Sequence, residues 1–423
     1  MATATRRAPA PRPYQAVRTV RTRTADRPAA FALTASILAA LLAASSAPTP
    51  LYPRYQDIWH LTSLTVTVVF SAYSLALLLA LLTTGALSDH LGRRPVLVGA
   101  LLVQACAMML LASADGAGAL IAARVLQGAA TGVATSAAGA ALLDLADPRR
   151  PGRSALTNSI APVTGMAAGV LAATLLVGFA PAPTVTVYVV LAVVFAAQAV
   201  AVMRTAETAR PHAGALRSLR PRLAVPPAAR RALLVVGTGV VAVWALGGFY
   251  SSLGPALVHL VSPGAPQAAG GLVFFTLSAT AALTVWMLRH SVPRTAAIGG
   301  TLAVVPATAL TLSGLHGVGL PAVYGGAALA GIAFGAVSQG ALRMTLAALD
   351  EWDRAATLAA YYVLSYLSMS LPAIAAGAAT QHYGLRTAAY AYAVGAAVLA
   401  VAALAALIVP RSRLVRHVLN DLL

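Results

Sequence analysis

The chain of 423 residues has no lysine, a single cysteine, only 11 carboxylates and only 9% charged residues. Soluble domains carry roughly 25% charge, so an ordinary water-soluble enzyme is excluded. The missing lysine forbids a Gly-x-x-x-x-Gly-Lys phosphate loop, and any work this chain performs must draw on a gradient and not on its own ATP hydrolysis. Cys106, alone in an apolar run, excludes a disulfide framework and a multi-cysteine metal site. It is expected as a small buried hydrophobe. The histidines are scattered and form no His-Glu-x-x-His pair, so neither a metal nor a cofactor is expected, and no catalytic residue is assigned.

What the chain does have is apolar residues, 59% of the total, and a mean hydropathy of +0.80. A helix needs about 20 apolar residues to cross a hydrocarbon core. Twelve such runs occur, at 31–50, 64–84, 95–113, 118–142, 154–178, 184–203, 232–254, 270–288, 295–314, 320–346, 356–379 and 387–409. The net charge of +18 comes entirely from arginine, and the arginines lie between these runs instead of on one folded face, so no nucleic-acid partner is expected. All of them except Arg54, Arg386 and Arg124 fall in the two terminal segments, the central linker and the even-numbered connections, or at the end of the tenth run. Basic loops stay on the cytoplasmic side, so both termini are expected there. The reading is an all-α membrane protein of twelve spans, divided into an Arg-rich segment 1–30, a six-helix bundle 31–203, a linker 204–231, a second six-helix bundle 232–409 and a tail 410–423. The Arg-rich start and the small residues Ala43 to Ala47 resemble a secretory signal. Cleavage is rejected because the run is as long as a full span and eleven more follow it.

Equal halves invite a search for internal repeats. Ser45-Ser46 with Pro48 and Pro50 parallels Ser251-Ser252 with Pro255, and Asp89-His90 with Arg94 parallels Arg289-His290 with Arg294. Gln127-Gly128 parallels Gln339-Gly340, which sets Ala336 opposite Arg124, and Pro162 parallels Pro372. The order is preserved throughout. A duplicated architecture follows.

Three segments carry more specific chemistry. After span 2 the chain reads Gly85-Ala86-Leu87-Ser88-Asp89-His90-Leu91-Gly92-Arg93-Arg94-Pro95. Gly85 allows close helix approach, Gly92 permits a tight turn, and Asp89 can pair with an arginine. Span 4 holds Arg124-Val125-Leu126-Gln127-Gly128, and Arg124 is the one charge well inside a span. A charge there must face a cavity or find a partner. In span 5, Asn158, Pro162, Gly165 and Gly169 fall on one helical face, where small residues allow backbone-to-backbone packing and the proline favours a kink.

The first segment resembles the Gly-x-Leu-x-Asp-x-x-Gly-Arg-Arg loop of the major facilitator superfamily. The second is similar to that superfamily's Leu-x-x-x-Arg-x-x-Gln-Gly motif, here starting at Leu120. The third resembles a worn Gly-Pro-x-x-Gly-Gly motif of the drug:proton antiporters, from which Ala161 and Met166 depart. The resemblance implies that Gly85, Asp89, Gly92, Arg93 and Arg94 latch the two halves on the cytoplasmic side when the cavity faces outward. It also implies a proton-coupling role for Arg124, with Gln127 beside it. In this fold spans 1, 4, 7 and 10 line a central cavity with help from 2, 5, 8 and 11. Phe70, Tyr73, Trp244, Tyr250, Gln339, Tyr362 and Tyr366 are therefore expected around the solute, a composition that suits mid-sized amphipathic organic molecules.

Coupling is the open step, because span 1 contains no acid and only Asp144, at the end of span 4, stands near the membrane interior. A carried proton would need Asp144, Asp57, Asp89 or His259 to titrate. Alternatively, the solute brings its own charge to Arg124. The expected function is proton-coupled export of small amphipathic organic molecules by a monomer in a bacterial cytoplasmic membrane, with a facilitator or importer of a small metabolite as the alternative.

Overall fold

The computed structural model describes residues 27–150, 152–219, 227–347 and 351–408, and among them every regular element is helical. The expected terminal segments 1–30 and 410–423 lie almost entirely outside the described residues. The first half contains α1 (Arg27–Ser46), α2 (Tyr52–Trp59), α3 (Ser63–Thr84), α4 (Leu87–Leu91), α5 (Arg93–Ala112), α6 (Ala117–Asp144), α7 (Arg153–Phe179) and α8 (Pro183–Met203). A short α9 (Ala215–Ser218) lies in the linker. The second half contains α10 (Pro227–Ser252), α11 (Gly254–Val261), α12 (Gln267–Met287), α13 (Pro293–Ser313), α14 (Leu320–Ala347) and α15 (Glu351–Ile408).

Eleven helical stretches among the described residues are long and apolar enough to cross a bilayer. The last of them, Ala356–Ile408, runs for 53 residues. At 1.5 Å per residue that would extend about 80 Å, far beyond a bilayer. Gly384 interrupts it with φ 79° and ψ 157°, a conformation outside the helical region, between the two runs expected at 356–379 and 387–409. Local chemistry sets other boundaries. Thr62 caps α3, its hydroxyl accepting the Thr65 N–H at 3.2 Å. Pro183 and Pro293 open α8 and α13, where a missing N–H costs nothing.

Pro48 and Pro50 end α1, and a single 3-10 turn at Thr49–Leu51 leads into α2. In the second half α10 is likewise followed by the short α11. Neither α2 nor α11 was expected as a helix, because eight residues are too few to give a span-length apolar run. Their repetition after the first span of each half supports the duplication read from Ser45-Ser46 and Ser251-Ser252.

Packing corrects the register of that duplication. On α6, a Cβ at Gly128 or Gly132 would overlap the backbone of α3 at Tyr73 or Leu77. On α14, a Cβ at Gly331 or Gly335 would overlap the backbone of α12 at Leu277 or Ala281. The two helices therefore superpose at a separation of 203, the distance between Gly128 and Gly331 and between Gly132 and Gly335. Gln127-Gly128 and Gln339-Gly340 are a chance likeness out of this register: Gly340 packs on Pro293 and Ala297 of α13 instead. The position opposite Arg124 is Ala327, not Ala336, and the one opposite Gln127 is Ala330.

Two clusters of buried apolar side chains form, one from residues between Phe31 and Val202 joined by Ala373, the other from residues between Val236 and Leu407 joined by Val170. Outside them the surface is itself apolar: Leu79, Leu102, Met109, Phe179, Val193 and Val398 are all exposed. A patch of this extent on a water-soluble protein would aggregate, whereas a bilayer covers it. Cys106 belongs to this surface. It is exposed on α5 and not buried as expected, because the lipid-facing side of a span is as apolar as its packed side.

Candidate functional site

A cavity of about 1710 Å³ lies between the two halves of the chain. At its inner end it is walled by Leu42 and Ser45 of α1, Tyr73 of α3, Trp244 and Ser251 of α10, and Tyr362 and Tyr366 of α15. At its mouth stand Gly85, Asp89, Arg150, Arg153, Arg289 and Arg343. It therefore opens at the Arg-rich end of the helices. The pseudo-symmetry reaches its walls: Thr135 and Ser338, Ser136 and Gln339, Gly139 and Leu342, and Ala140 and Arg343 all line it, each pair 203 apart.

The second half supplies an aromatic wall. Trp244 lies 5.3 Å from Tyr366 and 5.2 Å from Phe334, ring centre to ring centre, and Tyr362 lies 6.1 Å from Tyr366. Several polar atoms among these linings are buried and lack a protein hydrogen-bond partner: the Tyr73 hydroxyl, Thr135 Oγ1, Trp244 Nε1, Ser338 Oγ and Gln339 Oε1. Buried polar groups are ordinarily paired. Five such atoms around one cavity are what a polar solute or water would satisfy.

Two expected cavity residues stand elsewhere. Phe70 is buried in the first apolar cluster, one turn before Tyr73 on α3 and beyond the inner end of the cavity. The Tyr250 hydroxyl bonds Thr311 Oγ1 at 2.5 Å inside the second cluster. Both belong to apolar clusters instead, which aromatic content alone could not reveal.

The opposite end of the helices is sealed, and glycine makes the seal. A Cβ at Gly271 of α12 would overlap Thr174 of α7 and Pro50, and one at Gly377 of α15 would overlap Thr67 and Leu64 of α3. These contacts are repeats of one another: Gly271 corresponds to Thr67 and Gly377 to Thr174, at separations of 204 and 203. Ser71 Oγ adds a hydrogen bond to the Ser370 carbonyl at 3.3 Å across the same seam. Nothing in the sequence flags these glycines, because the close approach joins helices from different halves.

Arg124 is fully buried, with 0% exposure. Its Nη1 donates to Gln127 Oε1 at 2.6 Å and to the Ser45 carbonyl at 3.3 Å, and Gln127 Nε2 donates to the Ala44 carbonyl at 3.0 Å. The prolines that end α1 leave these last-turn carbonyls without backbone donors, and Arg124 and Gln127, one turn apart on α6, supply them. The guanidinium carbon sits 4.3 Å from the centre of the Tyr73 ring, a cation–π contact. Neither Arg124 nor Gln127 lines the cavity; both stand directly behind Ser45 and Tyr73, which do.

The loop after α3 forms a charge network within the first half. Arg93 pairs with Asp89, lies 3.2 Å from Asp144 Oδ2 through Nε, and donates to Ser88 Oγ at 2.7 Å. Asp144 also accepts the Thr208 hydroxyl at 3.0 Å. It belongs to this network and does not line the cavity, although Leu143 beside it does. A residue that the motif did not indicate completes the cluster. Glu207, from the linker, accepts the Arg93 N–H at 2.8 Å and the Arg94 N–H at 3.0 Å, capping the start of α5. Gly92 is required twice over: its φ is 101°, and a Cβ would lie 2.6 Å from Glu207 Oε2. Gly85, expected at a helix contact, meets no neighbouring helix and borders the mouth. The Arg94 side chain is exposed.

The span-5 face divides along its length. Gly165 and Gly169 of α7 press on the backbone of α1 at Ala39 and Ala43, whereas Asn158 and Pro162, nearer the open end, line the cavity.

A helical chain of this hydropathy, with a cavity at the seam of two repeated halves open at one end and sealed at the other, is a membrane transporter by architecture. The sequence profile of the Major Facilitator Superfamily matches residues 34–286, and the chain belongs to that family. Among solved structures, a bacterial homologue of the human lysosomal transporter Spinster, inward-facing and unoccupied, aligns with 14% identity and a TM-score of 0.67, covering 92% of this chain and 96% of that one. The nucleoside transporter NupG aligns with 13% identity and a TM-score of 0.68 over 89% and 98%. The human organic anion transporter MFSD10 aligns with 18% identity and a TM-score of 0.65 over 90% and 99%. No curated protein matches the sequence.

Proposed function

We propose that this protein exports small amphipathic organic molecules by alternating access, its two six-helix bundles rocking about the cavity, with twelve spans once Gly384 is counted as a break. The observation that carries this reading is the aromatic cavity with its unpaired polar atoms. Trp244, Tyr362 and Tyr366 offer faces for an apolar ring system, while Tyr73, Thr135, Ser338 and Gln339 offer a few directional contacts. A sugar-like solute would ask for far more amides and carboxylates than these walls hold.

With the Arg-rich end assigned to the cytoplasm by the positive-inside rule, the structure corresponds to an inward-facing state ready to load. In the complementary state the Gly271 and Gly377 contacts would part and the mouth would close around Asp89 and its neighbours. Proton influx, implied by the antiporter resemblance, would use Asp89 at the mouth or Asp144 behind it. The structures that align transport different solutes, so the solute assignment rests on the cavity.

The test is accumulation of a chemically diverse panel in cells with and without the protein, repeated with the proton gradient collapsed. Lower accumulation of aromatic amphiphiles in expressing cells is the expected result. Higher accumulation would establish import instead.

A further inference from the structure

Among the described residues, no ion pair balances the charge of Arg124. Its side chain is fully buried, and Nε and Nη2 have no hydrogen-bond partner. The partners of Nη1 are neutral, an amide oxygen and a backbone carbonyl. The end of α1 contributes at most the partial negative charge of a helix C-terminus, equivalent to about half an elementary charge. Among the described residues no carboxylate pairs with it: Asp57 and Asp115 lie in or beside connections, and Asp89 and Asp144 belong to the loop network. Capping two carbonyls needs only neutral donors, and a glutamine would provide them. The full positive charge is left over.

A second observation points the same way. Among the described residues, the cavity mouth carries Arg150, Arg153, Arg289 and Arg343 against Asp89, and these present a positive field to a solute entering from this end. Farther in, Trp244 Nε1 can only donate, and the hydroxyls of Tyr73, Thr135 and Ser338 are free to donate as well.

We infer that the transported solute is an organic anion whose negative group docks against Ser45 and Tyr73, with Arg124 behind the Tyr73 ring as its counter-charge. This rests on the export reading above and names the solute class within it. Such a solute carries its own driving force, because an inside-negative membrane potential pushes an anion outward. The absence of a membrane-embedded carboxylate then has a physical account.

Three fluorescent probes with a common ring test it: dansylglycine, its neutral amide and the cationic dansylcadaverine, each titrated against detergent-purified protein. The wild type should bind the anion at least tenfold more tightly than the amide and the cation least. Arg124→Gln should erase the difference between anion and amide, Arg124→Lys should keep it, and Tyr73→Phe should weaken the anion alone. A merely structural role for Arg124 would move all probes together, and that result, equal binding of the three probes, or an anion preference surviving Arg124→Gln overturns the inference while leaving the export reading intact. Failure of all three to bind would sink both. In proteoliposomes, dansylglycine efflux should quicken when valinomycin and a potassium gradient make the interior negative; insensitivity to that potential counts against the inference.

Discussion

Helices α6 and α14 hold equivalent places in the two halves, begin 203 residues apart and have the same length, yet only one carries a buried charge. The difference originates in their neighbours. Pro48 and Pro50 stop α1 and leave the carbonyls of Ala44 and Ser45 to be satisfied by Arg124 and Gln127 of α6. In the second half α10 passes almost without a break into α11, the Leu253 N–H bonding the Phe249 carbonyl and the Leu257 N–H bonding the Leu253 carbonyl. On α14 the places corresponding to Arg124 and Gln127 are taken by Ala327 and Ala330, both buried, and neither can donate to a carbonyl. A duplicated scaffold has become asymmetric where one helix is broken, and the polar pair that repairs the break also places a charge beside the cavity.

The most damaging way to erase this asymmetry is Ala327→Arg. An arginine at mid-span costs about 3 kcal/mol on insertion scales, and here it would enter a fully buried alanine site. Membrane abundance, followed by immunoblot, should collapse, and normal abundance would show that α14 has a hidden partner for a cation. The shared feature of the two helices is their glycine seam. Gly132→Val and Gly335→Val should each destabilise the detergent-purified protein by about 1–3 kcal/mol through overpacking, and by similar amounts. A large effect at one and none at the other would break the proposed register.

The loops after α3 and α12 extend the comparison. Asp89 is tied to Arg93, whereas Arg289 of the second half stacks on Trp286 and donates to the Trp286 carbonyl at 2.9 Å. Asp89→Asn should slow efflux several-fold at unchanged abundance, and Arg289→Gln much less; equal rates in wild type and Asp89→Asn would remove the latch role. The smallest effect is expected in the cavity wall. Gln339→Ala should raise the KM of an exported panel compound roughly fivefold, the worth of one hydrogen bond of about 1 kcal/mol, and Ser136→Ala, at the equivalent position, should raise it less.

Much of this molecule is legible along the chain. Span positions follow from apolar runs, which are a local property, and the break at Gly384 falls between two of them. The loop motif identifies Asp89, Gly92 and Arg93, and their network forms within a few turns of the sequence. Cavity residues were less legible: Tyr73, Trp244, Gln339, Tyr362 and Tyr366 line it, whereas Phe70 and Tyr250 do not. An apolar helix in a membrane has no polar face to announce which side meets the cavity, a neighbour or lipid. Cys106 illustrates the same ambiguity.

Composition and the placement of arginine by themselves determine a many-span membrane protein and its Arg-rich end, because the bilayer selects for length, hydropathy and charge one residue at a time. The tertiary structure alone decides the register of the repeat, the Glu207 cap on α5, the glycine seal at Gly271 and Gly377, and the buried charge of Arg124. Each of these depends on which helices, distant in sequence, approach closely enough for backbone to touch backbone, and the chain specifies that through packing.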